Sequence, residues 1–256
     1  MRARTGTLRS GDETGPGTAP QRVDGRFAHA RDCTAGPLRR DSRAARRRTA
    51  TAGLITLSGV ELQQLARGLW RWTAPHPDWE PNPKRGSPAD WPQDVGSVAY
   101  ANDRTLVLVD PLVPESGWRA LDRLAKGKRV HVLTTLGFHR RSREALRERY
   151  GADTSNAKAR LPAGVETIAI RNAGERMVWI PEHGALVPGD RLLGSARGGL
   201  RVCPDSWLGY LRGRITPAAL RQELRKLLDL PIRMVLVSHG EPVFQQGRRE
   251  LERALA

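Results

Sequence analysis

Thr105-Leu106-Val107-Leu108-Val109-Asp110-Pro111 is an apolar run that stops on an acid and a proline, and its reading decides the rest. Bounded upstream by Asn102-Asp103-Arg104, it has the length and β-branched content of a buried strand. Ser97 to Ala101 lie on the other side of that turn, so the two segments read as a hairpin. Beyond Pro111, Trp118, Leu121, Leu124 and Ala125 share one helical face within 116–126, with Ser116 as a cap candidate and Gly127 as the stop. Val130 to Leu133 make the next apolar strand, and Ser142 can cap a helix ending near Tyr150, before Gly151.

Working outward, Val60 to Trp72 reads as a first strand region entered through a glycine turn, and 73–94, rich in Pro, Trp and Asp, as a loop. Val165 to Ile170 and Arg176 to Ile180 read as strands, the second turning at Pro181-Glu182-His183-Gly184 into Ala185-Leu186-Val187. Thr216-Pro217 opens a helix carrying Leu220, Leu224, Leu227 and Leu228, which Pro231 ends. Ile232 to Val237 form a buried strand and Phe244 to Ala256 a closing helix. No fixed-period repeat is visible.

Residues 1–52 contain twelve arginines, five acids and no lysine, without apolar periodicity. Such a stretch buries too little to offset its ordering entropy, so it is expected to be a disordered Arg-rich extension. It can be read as a nucleic-acid arm, a targeting peptide or upstream sequence translated from a misassigned start. The last is favoured, because the acids argue against a transit peptide and no apolar stretch of signal-peptide length follows the early arginines. The net charge of +16 is nearly all arginine, with only five lysines in 256 residues. Arg, Ala, Gly and Pro are abundant together, as a high-GC genome produces, so the charge is a weak sign of nucleic-acid binding.

No run of 18 apolar residues occurs, which argues against a membrane partner. Cys33 and Cys203 are too few and too far apart for a disulfide framework or a Cys-based zinc site, so a cytoplasmic location is expected. Oligomeric state is not encoded in any pattern of this kind.

Three landmarks recur in order: Val107-Leu108-Val109-Asp110-Pro111, Pro188-Gly189-Asp190 and Val237-Ser238-His239-Gly240. With the entry strand Gly68-Leu69-Trp70-Arg71-Trp72, the chain resembles the metallo-β-lactamase superfamily over about residues 60–245. The resemblance implies an α/β fold, a four-layer αββα sandwich, occupying 60–256. It also implies a binuclear zinc site held by a His-x-His-x-Asp-His run, a further His, a bridging Asp and a final His.

Here Thr135 and Gly137 stand at the two leading histidine positions, His139 at the aspartate and Arg140 at the closing histidine. Arg171 occupies the place of the further histidine, while Asp190 and His239 match the bridging aspartate and final histidine. His139, Asp190 and His239 could therefore form a single-metal site for one zinc or other divalent ion, with Asp190 as the catalytic candidate. The losses favour no metal at all. Asp190 could equally bond loop amides, His239 backbone groups, and His139 a helix N-terminus beside two arginines. Asp110 is expected to order the loops beneath the site.

Arg140 and Arg171 could bind a small-molecule anion in the metal's place, or one of them could pair with Asp190. His183 reads as turn chemistry, His131 as a core or face residue, and His76 as able to reach a cleft. Trp79 and Trp91 are the candidates for a lid. The function implied is a hydrolase-like protein with weak or no metal-dependent hydrolysis; the alternative is a non-catalytic anion-binding module.

Overall fold

A computed structural model describes Leu54–Ile55 and residues 62–256, apart from 158–159 and 210–214. The Arg-rich stretch 1–52 lies outside the described residues.

Alternation along the strands sorts side chains into three cores. Strand β5 (Thr105–Val109) sends Leu106 and Leu108 to one face and Val107 and Val109 to the other. Its parallel neighbour β6 (Arg129–Leu133) does the same with Val130 and Val132 against Leu133. These two close a six-stranded sheet in the order β1-β2-β3-β4-β5-β6, whose other strands are β1 (Leu54–Ile55), β2 (Leu62–Ala66), β3 (Leu69–Pro75) and β4 (Asp94–Ala101). The outer face packs on α1 (Trp118–Ala125) and α2 (Arg143–Tyr150) through Leu121 and Leu146.

The second sheet runs β12-β9-β8-β7, from β7 (Glu166–Ile170), β8 (Glu175–Ile180), β9 (Ala185–Val187) and β12 (Met234–Val235). In β8, Val178 and Ile180 face the first sheet, burying against Val98, Val107 and Val109. Met177 and Trp179 face outward onto α3 (Pro217–Arg225) and α4 (Gly247–Leu255), with Leu220, Leu224, Leu251 and Leu255. The layers are thus α, β, β, α, as the resemblance implied. Among the described residues no helix is long and apolar enough to cross a membrane.

Several local expectations are corrected. The first strand region is two strands, because Gly68 turns the chain at φ +77° where an added Cβ would lie 2.4 Å from the Ala101 carbonyl oxygen. Ser116 sits within a short 3-10 turn, Glu115–Gly117, and α1 starts at Trp118 without a side-chain cap. Ser142 does precede α2, but its hydroxyl accepts from the Val113 amide instead of capping the helix. Thr216 caps α3 as expected, its hydroxyl accepting from the Ala219 amide. The closing helix begins at Gly247 rather than Phe244. A further pair, β10 (Leu192–Gly194) and β11 (Leu200–Val202), was not anticipated.

Candidate metal centre

Parallel pairing places the ends of β5 and β6 side by side, with Val109 opposite Leu133. The next residues, Asp110 and Thr134-Thr135, therefore meet at one sheet edge. Asp110 is buried and held at φ 44°, a left-handed conformation that costs a non-glycine residue roughly 1–3 kcal/mol. Its carboxylate accepts from the Thr135 amide (2.8 Å) and from the Thr135 hydroxyl. It also contacts His139 Nδ1 at 2.9 Å. These contacts hold the His139 ring from its Nδ1 side, with Nε2 toward Asp190.

His139 Nε2 lies 3.2 Å from Asp190 Oδ1, and His239 Nε2 lies 3.3 Å from the same oxygen. One donor atom from each of the three residues falls within 4.8 Å of the others. All three side chains are buried. Asp190 Oδ1 nevertheless has no properly formed hydrogen bond, and His239 Nδ1 has no partner. The His139 approach is a charge contact when its ring is protonated, and neither approach has the geometry of a hydrogen bond.

Burial disfavours charge on His139, but Asp190 and Asp110 on either side reverse that and raise its pKa to about 9. Asp190 is held below the usual carboxylate range: burial opposes this, and His139 and His239 overcome it. Burial pushes His239 down, with Asp190 opposing.

The loop bearing Asp190 is held by Glu175, a fully buried acid at the start of β8. Its carboxylate accepts from the backbone amides of Gly189 (3.0 Å), Asp190 (2.8 Å) and Arg191 (2.9 Å). Burial raises the Glu175 pKa to about 7 despite nearby Arg191. Gly189 is required for close approach: an added Cβ would stand 2.5 Å from Thr135 Oγ1 and 2.9 Å from Leu136 Cδ1. Thr135 is already locked onto Asp110 and cannot give way. Gly189→Ala is therefore expected to cost about 1–3 kcal/mol in urea unfolding. Unchanged stability would show that the loop is not held as tightly as this.

Arg141, also at positive φ (39°), donates from its guanidinium to the carbonyls of Gly96 (2.8 Å) and Asp110 (2.7 Å) and to Ser238 Oγ (2.6 Å). It ties together the segments carrying Asp110, His139 and His239. Neither its role nor that of Glu175 is apparent from the sequence.

The triad opens on a cleft of about 470 Å³. His239 is packed edge-on between Trp91 (5.5 Å between ring centroids) and Trp207 (5.6 Å). His76 lines the same cleft, 5.1 Å from Trp91, so it does reach a site. Phe138 stands at the mouth with 61 % of its surface exposed. Of the two lid candidates, Trp91 lines the cleft, while Trp79 anchors it by donating to the Trp91 carbonyl (3.0 Å).

Arg140 and Arg171 do not join this site. Both are exposed and line a separate pocket with Thr135 and Gly137, and neither pairs with Asp190, whose close contacts are with His139 and His239. His183 lies in the turn after β8, with Tyr100 packed on it, away from the triad. His131 is a buried strand residue.

The donor set fits one ion. A tetrahedral site with ligand bonds of about 2.0–2.2 Å separates its donors by roughly 3.3–3.6 Å, close to both approaches to Asp190 Oδ1. Asp110 behind His139 is the outer carboxylate that metal-bound histidines usually have. Among the described residues, no second group of three His, Cys, Asp or Glu donors converges.

No protein-family model and no curated protein matches the chain. Solved structures do. A metallo-β-lactamase from Erythrobacter litoralis, with β-mercaptoethanol in its active site, is 19 % identical and superposes with a TM-score of 0.53, covering 79 % of this chain and 97 % of its own. An NDM_FIM-1-like metallo-β-lactamase from the same organism, in a mono-zinc form, is 21 % identical with a TM-score of 0.54, covering 79 % and 97 %. The DIM-1 metallo-β-lactamase exposed to ceftazidime is 11 % identical with a TM-score of 0.52, covering 78 % and 98 %. The chain has the metallo-β-lactamase fold.

Proposed function

We propose that this chain is a hydrolase-like protein of the metallo-β-lactamase fold that keeps one metal position, with metal-dependent hydrolysis that is weak. The observation that carries this reading is the convergence of His139 Nε2 and His239 Nε2 on Asp190 Oδ1, a buried oxygen without a formed hydrogen bond. Leaving such an oxygen unsatisfied costs about 1–3 kcal/mol or more, and a cation would relieve it. That one of the similar structures is a mono-zinc form supports a single ion on this architecture.

His139, Asp190 and His239 would hold the ion, the usual minimum of three protein ligands. Bound there, zinc or a similar divalent ion supplies Lewis acidity toward a carbonyl or phosphoryl oxygen and a more acidic water. Asp110 keeps the His139 ring in register, Glu175 holds the Asp190 loop, and Trp91 and Trp207 keep bulk water from one side. The activity in this reading is weak because, among the described residues, no second cluster of metal donors stands beside the first.

The test is hydrolysis of a panel of activated esters and lactams by full-length protein. Turnover is expected after reconstitution with zinc or manganese, lost in chelator and in Asp190→Asn. Turnover indifferent to chelator, or metal-loaded protein with no turnover above background, would overturn the hydrolytic part of the reading.

A further inference from the structure

Arg140, Arg143, Arg171 and Arg176 line a concavity of about 690 Å³ between the Thr134–Arg140 loop and the β7–β8 hairpin. It shares no lining residue with the histidine cleft. Among the described residues, the guanidinium groups of Arg140, Arg171 and Arg176 have no carboxylate within ion-pairing distance. Arg143 approaches Glu144 only at 3.8 Å and donates to Thr154 Oγ1 at 3.1 Å. Arg176 makes one weak contact, to Thr167 Oγ1 at 3.4 Å.

Four like charges gathered around one hollow repel each other, and packing does not require it, since three of them are exposed. The acid on the lining, Glu175, has its oxygens engaged by the amides of residues 189–191. Two polar atoms at the wall, Thr134 Oγ1 and Arg143 Nε, are buried with no hydrogen-bond partner. Positive charge, unused donors and a hollow coincide.

We infer that this pocket binds a small molecule carrying a phosphate group, gripped by Arg140 and Arg171 with Arg143 and Arg176 beside them. A phosphate offers up to two charges and three acceptor oxygens, which several guanidinium forks can share, whereas one carboxylate saturates a single fork. The volume lies within the range of about 300–1,000 Å³ typical of organic-ligand pockets, so the phosphate need not come alone. The inference does not depend on whether an ion occupies the histidine cleft.

Calorimetric titration of the full chain with inorganic phosphate and with pyrophosphate, at constant ionic strength, tests it. Saturable 1:1 binding is expected, weakened at least about tenfold in Arg140→Ala/Arg171→Ala, and unchanged in chelator or in Asp190→Asn. Both arginines are exposed, so the double variant should keep its fold, which thermal unfolding checks. Binding that is absent, or equally strong in the double variant, would overturn the proposal and assign any affinity to the arginines elsewhere in the chain.

Discussion

Asp190→Asn is expected to lower the affinity for zinc by more than about a hundredfold, while leaving the folded state intact. Altering an outer partner of a metal ligand typically costs 10–100-fold, and removing the one anionic ligand should exceed that. Asp190 is the oxygen on which both histidines converge, so its neutralisation removes the centre of the site and not one of its edges. The amide of Asn is nearly isosteric with the acid, and the backbone amide that Glu175 holds is untouched. Competition titration against a chromophoric chelator reads the change. Wild-type affinity in the variant would show that the ion, if bound, sits elsewhere.

The metal-free chain is expected to lose stability as pH rises from 6.5 to 9. The pKa of His139 is raised from 6.5 to about 9 by Asp190 and Asp110, which outweigh burial. A group whose folded pKa lies above its unfolded one stabilises fully below the unfolded value, and that stability disappears as pH climbs through the folded value. The shift amounts to roughly 3 kcal/mol, lost across that window. Glu175, raised to about 7 mainly by burial, acts with the same sign from its ordinary 4.5 upward. Chemical unfolding in chelator between pH 6 and 9 measures the slope, and His139→Gln should flatten its upper part. Metal should reverse the trend: an ion must displace the His139 proton, so affinity rises about tenfold per pH unit up to about 9. A flat profile in both states would mean that His139 is neutral when buried.

How much of this was legible depends on whether the signal was local. Strand β5 announced itself through Leu106 to Val109, and the residues after it, Asp110 and Pro111, marked the sheet edge. Pro188-Gly189-Asp190 and Val237-Ser238-His239-Gly240 were readable as ordered landmarks of the family resemblance; the close approach behind them shows only in the fold, where Gly240 has φ +81° and its Cβ would lie 2.7 Å from the Gly194 oxygen. The resemblance put His139 in the aspartate place of the ligand run, with a ligand beside Asp190 and a residue bonded at a helix N-terminus as its two readings; in the structure its Nε2 lies 3.2 Å from Asp190 Oδ1.

What was hidden is held by long-range contacts. Glu175 bonds amides 14 to 16 residues downstream, so nothing beside it in sequence betrays the role. Arg141 differs from Arg140 by one position, yet its positive φ turns it inward to Ser238, 97 residues away, while Arg140 stays exposed. Alignment against lost ligands put Arg140 and Arg171 in the metal's place; the fold puts them around a neighbouring hollow. Leu192-Leu193-Gly194 was too short to distinguish from loop, and it is a strand because β11 pairs with it.

The central claim is one ion on three residues, and zinc K-edge absorption on the reconstituted full chain, with stoichiometry from elemental analysis, tests it most directly. The expected result is one zinc per chain with two imidazoles and an oxygen donor at about 2.0–2.2 Å, absent from His139→Ala/His239→Ala. Two zinc ions per chain, none, or a zinc signal that survives the double substitution would contradict it.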